Sequence, residues 1–121
     1  MVESQTILLP ILNDDGKNST ISPHFGKAPF FAIMNRYDDG TFSNVSIIKQ
    51  DLDHSDTQTS PIVQAKKKYG VSVIIASHMG PKAQSECKRE HITLLNTNEG
   101  SVKQTIADFD TLQELTQHDT F

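Results

Sequence analysis

Cysteine is nearly missing from this chain: Cys87 stands alone among 121 residues. One thiol cannot close an internal disulfide or supply a four-thiolate metal site. Any metal or cluster bound here must therefore use histidines, carboxylates or a partner's ligands. Tryptophan is absent and aromatic residues make up only 7%. No apolar run approaches the roughly 18 residues needed to cross a bilayer, so no membrane association is expected. The first residues, Met1-Val2-Glu3-Ser4-Gln5, lack the basic segment of a signal peptide, which predicts a cytoplasmic protein. Positive charge is also scarce. The formal net charge is −4, and the single basic run, Lys66-Lys67-Lys68, fits the solvated face of a helix. Nucleic acid is thus not an expected partner.

What is present, 36% hydrophobic and 21% charged residues, suits one soluble domain over 1–121, with a core at about 6–109 and a loose tail. The near-continuous apolar run Thr6–Leu12 predicts a strand buried on both faces, with Pro10 marking a bulge or the strand's exit. Phe30–Met34 reads as a second strand and Thr41–Lys49 as a third, joined by the hairpin turn Asp38-Asp39-Gly40-Thr41. Ser60-Pro61 caps a first helix that ends at Gly70. Val71–Ala76 is a buried strand. Pro81 opens a second helix, with Ala83 and Cys87 on its inner face, and His91 follows as a C-terminal cap. Ile92–Leu95 is a last strand, and Ser101-Val102-Lys103-Gln104 is a capping box for a third helix. The order β-β-β-α-β-α-β-α predicts an α/β fold: a five-stranded mixed sheet, its first hairpin antiparallel and its later strands parallel, flanked by three helices.

The chain is organised around Ile21-Ser22-Pro23-His24-Phe25-Gly26-Lys27-Ala28-Pro29-Phe30-Phe31. Pro23 and Pro29 stiffen this loop, and Gly26 permits a backbone angle or close approach barred to other residues. Phe25 leads it back toward the apolar strand. The loop thus holds His24 in one place. In the predicted topology, strands one, three, four and five leave the sheet at the same carboxyl rim, where open α/β sheets bind ligands. His24, His54 and His78 follow three of those exits. Converging imidazoles can bind a transition metal or an iron-containing cluster, and Asp51, Asp53 and Asp56 can orient them. Ordered polar loops with unrelated histidines remain the alternative. The turn Gly80-Pro81-Lys82 offers helix-terminal amides to an anion, although capping alone also explains it. No nucleophile, base and oxyanion donor can be assigned together, so a binding protein is expected rather than an enzyme.

The His24 loop, together with Gly70–Ile75, Met79-Gly80-Pro81-Lys82-Ala83 and Glu99-Gly100-Ser101-Val102, resembles the dinitrogenase iron-molybdenum cofactor biosynthesis domain family over about Thr6 to Phe109. The resemblance implies a ribonuclease-H-like mixed sheet and, by likeness to nitrogenase accessory proteins, an iron-sulfur or iron-molybdenum cluster or precursor as cargo. Cluster donor or acceptor proteins would then be its partners. Departures are Ser77-His78 where the family tends to have two glycines, His91 in place of glycine, and Cys87 in place of leucine. Of the rim histidines only His24 lies within the shared motif. A small-anion or protein-interaction module of the same fold is the competing expectation.

Overall fold

A computed structural model describes residues 4–52, 60–97 and 100–114. In chain order the strands and helices are β1 (Ser4–Ile11), β2 (Phe30–Tyr37), β3 (Ser46–Lys49), α1 (Pro61–Tyr69), β4 (Val73–Ala76), α2 (Pro81–Arg89), β5 (Thr93–Asn96), α3 (Val102–Ala107) and β6 (Gln113–Glu114). They build one mixed sheet in the order β3-β2-β1-β4-β5-β6. β2 pairs antiparallel with β1 and with β3, whereas β4 pairs parallel with β1 and with β5. The expected hairpin, the parallel half and the three helices are all present. The sheet has a sixth strand, β6, antiparallel to β5 through Leu95–Glu114 and Asn96–Gln113, in a stretch expected to be loose tail.

Alternation along β1 sends side chains to both faces. Leu8 joins Phe31, Ile74 and Leu94 beneath α1 and α2, whose Ile62, Ala65 and Cys87 close that layer. Ile7, Leu9 and Ile11 join Met34, Val73 and Ile75 on the other face, covered by Val102 of α3 with Ile106 and Phe109. A strand buried on both faces must be apolar throughout, which is why this run shows no polar alternation.

Pro10 neither bulges nor ends β1, which continues in register through Ile11–Phe30. Its carbonyl accepts from the Ser22 amide at 2.8 Å, so its nitrogen also faces away from β2 and no rung is lost. On that side β4 pairs with β1 only at Ile7 and Leu8. The returning stretch 19–22 takes the lateral place that β4 leaves, with Leu12 N–H donating to Thr20 O and a bridge between Ile11 and Ile21. This fold-back delivers His24 above the end of β4.

Element edges differ from the sequence reading where tertiary contacts decide them. β3 begins at Ser46, not Thr41; Phe42 makes only an isolated bridge to Arg36 and packs edge-to-face on Phe109. α3 is six residues long, followed by a 3-10 turn at Phe109–Thr111. The Arg36 guanidinium lies over both Phe42 and Phe109 and pairs with Asp110 at 2.8 Å, fastening that turn to β2.

Candidate metal centre at the sheet rim

His24 and His78 are both exposed, and their rings meet edge-to-face with centroids 5.6 Å apart. Each is held by its own neighbours. Ser22 Oγ accepts from the His24 amide and donates to the His24 carbonyl, closing a tight turn around Pro23. Phe25 is buried and stacks on Phe31 at 5.3 Å, and Ala28 is buried beside it. The loop is thus nailed into the core on one side of its histidine. Gly26 does not adopt a left-handed angle; among the described residues the glycines that do are Gly16, Gly40 and Gly70. The Gly26 carbonyl accepts from Gln50 Nε2 at 3.4 Å.

His78 lies between β4 and α2. Met79, next to it, is buried, and its carbonyl accepts from Gln84 Nε2 at 2.7 Å. The residue that follows His78 is therefore tied to the first turn of α2. That turn begins at Gly80, with Pro81 at its first helical position and no side-chain cap. A Cβ on Gly80 would meet nothing within 4 Å, so space is open there, and Lys82 is exposed beside it.

Cys87 is not available to this centre. It is buried, its sulfur lies 3.9 Å from Met79 Sδ, and burial pushes its thiol up to about 12. A thiol so disfavoured as thiolate is a core residue. Among the described residues the Asp51 carboxylate turns to α1: it accepts from Lys68 Nζ at 2.5 Å and Tyr69 Oη at 2.8 Å. The Lys68 contact, with that from Tyr69, holds the Asp51 carboxyl below its ordinary value. His54, with Asp53 and Asp56, lies outside the described residues, as does His118. His91 takes a left-handed φ of 61°. Ile92 N–H donates to Cys87 O and His91 N–H to Lys88 O, the paired bonds of a helix C-terminal motif that glycine usually completes.

The residues present fit part of a metal's ligand set. Two imidazoles on one tetrahedral ion, with metal–nitrogen distances of about 2 Å, have ring centres about 5 Å apart. The observed ring centroids, 5.6 Å apart, lie close to that spacing. Among the described residues no three His, Cys, Asp or Glu side chains are grouped to hold an ion.

Sequence spacing missed Gln50 and Ser22, the two side chains that fix the loop's backbone. Nothing in a lone Gln or Ser marks such a role before the fold is known.

Comparison with known proteins identifies the fold and the family. A protein of Methanocaldococcus jannaschii described as uncharacterized is 32% identical over 111 residues, covering 89% of this chain and 87% of its own. Among solved structures, the protein PH0822 superposes with a TM-score of 0.73 at 17% identity, covering 95% of this chain and 99% of that one. The NifB-like protein TM1290 from Thermotoga gives 0.68 at 24% identity, covering 93% and 95%. The apo form of the orange protein from Desulfovibrio gigas gives 0.69 at 21%, covering 93% of each chain. These three likenesses establish the fold. No helix among the described residues is long and apolar enough to cross a membrane. The family described as dinitrogenase iron-molybdenum cofactor matches residues 6–112, and the chain belongs to that family.

Proposed function

We propose that this protein is a non-catalytic carrier. It takes up an iron-containing cluster, a cluster precursor or a single metal ion at the carboxyl rim of a ribonuclease-H-like sheet. His24 and His78 are the ligands, with His54 as a third donor. The observation that carries the reading is the ring pair: two exposed imidazoles from distant segments, 5.6 Å apart on anchored turns. Neutral imidazole is a good borderline ligand, and two such ligands hold cargo without trapping it. Membership of the dinitrogenase iron-molybdenum cofactor family supports a cluster as that cargo. On this reading residues 1–121 act as one carrier domain in the cytoplasm, exchanging cargo with donor and acceptor proteins.

Anaerobic titration of apo-protein with ferrous iron and sulfide tests the reading. Visible charge-transfer absorption that disappears in the His24→Ala/His78→Ala double variant is the expected result; absorption independent of both histidines would overturn it. The second reading, a small-anion or protein-interaction module, draws on the uncapped first turn of α2. Phosphate-induced amide shifts confined to Gly80 and Lys82, with unchanged histidine signals, would favour that reading instead.

A further inference from the structure

We propose that Gln50 is a positioning residue for the metal centre, holding the His24 loop in its ligating shape through the loop's backbone carbonyls. The proposal deepens the carrier reading and rests on it for its functional meaning. Three consecutive residues beyond β3 each grip a different part of the molecule. Gln50 Nε2 donates to Ala28 O at 2.5 Å and, more weakly, to Gly26 O at 3.4 Å, and the Gln50 amide donates to Pro29 O at 3.0 Å. Asp51 binds the last turn of α1 through Lys68 and Tyr69. Leu52 is buried in the core beneath α1 and α2.

The consequence for His24 follows from chain connectivity. Between His24 and the end of its loop, the backbone carbonyls at 26 and 28 converge on one amide group. With Ser22 fixing the loop's other side, both arms flanking His24 are held. A loop fixed on both arms brings its imidazole to a ligand in one place, so binding need not order it. Removing such outer support typically weakens metal affinity by about 10- to 100-fold although all ligands remain.

Cobalt(II) titration and NMR test this with Gln50→Glu, nearly isosteric but without the donor, and Gln50→Leu as a second variant. Each is also made in a His24→Ala background. Cross-relaxation between the His24 and His78 ring protons is expected in the native protein and should vanish in either Gln50 variant. Cobalt(II) affinity should fall by about tenfold while the spectrum at saturation keeps its shape. In the His24→Ala background the Gln50 change should no longer alter affinity, because a residue acting through His24 has nothing left to act on. An effect of equal size in that background would mark general destabilisation and overturn the proposal, as would ring contacts that persist without the amide. The ring-proton measurement needs no metal. A native protein that ignores cobalt(II) would therefore defeat the carrier reading while still deciding whether Gln50 positions the loop.

Discussion

His24 and His78 touch ring edge to ring face, although one belongs to the loop leaving β1 and the other to the turn leaving β4. The contact depends on the fold-back at residues 19–22, which sets the first loop over the end of β4. Replacing either ring should weaken cobalt(II) binding by well over the about tenfold that loss of outer support costs. Both side chains are exposed, so urea unfolding should move by no more than about 0.5 kcal/mol. Affinity lost in proportion to stability would show that the rings serve the fold and not a ligand.

Cys87 should stay silent. Burial that pushes its thiol up to about 12 leaves almost no thiolate at pH 8. A thiol-reactive disulfide reagent should find no group in the native protein and one after denaturation. Cys87→Ala should leave the cobalt(II) spectrum unchanged; an intense sulfur-to-metal band that this variant removes would place the thiol in the centre.

Asp51 makes acid stability depend on a surface contact. Its carboxyl titrates below the ordinary value in the folded chain, chiefly because Lys68, and then Tyr69, hydrogen-bond the charged form. The unfolded chain therefore binds the proton first. The contribution is present above the ordinary carboxylate value and is lost as pH falls through the lower, folded one. Native protein should exceed Asp51→Asn in stability at neutral pH, and the two denaturation curves should converge in strong acid. A gap that persists there would assign the difference to packing.

Tyr69 reports the same contact from the alkaline side. Burial, and then the Asp51 carboxylate, raise its hydroxyl to about 12. Phenolate absorbance from this residue should rise only near pH 12, and Asp51→Asn should bring the midpoint down. Because the folded value is the raised one, this contribution holds below the ordinary tyrosine range and fades as pH climbs through about 12.

His91→Gly should stabilise the protein by about 1 kcal/mol, since a non-glycine residue at a left-handed angle carries a penalty of about 1–2 kcal/mol. The helix-ending bonds from Ile92 and His91 use backbone atoms and survive the change. An unchanged or lower denaturation midpoint would mean that the imidazole itself supports the end of α2.

The sheet was legible because its strands announce themselves locally. The two-faced run of β1, the Asp-Gly hairpin and the proline-opened helices are short-range signals that long-range packing did not contradict. β6 was not legible: a two-residue strand has no pattern of its own and takes its register from β5. Thr41–Asn44 has strand-forming residues, yet Phe42 is drawn toward Phe109 and Arg36, contacts that only the folded chain creates. The meeting of His24 with His78 could be anticipated from parallel strand exits. The partners of Asp51 were not legible, because Lys68 and Tyr69 stand 17 and 18 residues away and reach its carboxylate only once α1 has packed.

The segment between β1 and β2 threads through both layers of the molecule. Ile21 is sunk on the α3 side, with Ser19 O and Gly100 O stitching it to the start of that helix, while Phe25 and Ala28 are sunk on the side of α1 and α2. His24 rides where this thread passes over the border. Prying at either layer tugs the same strand of chain, so a disturbance on one side of the sheet is felt on the other at the residue that rides between them.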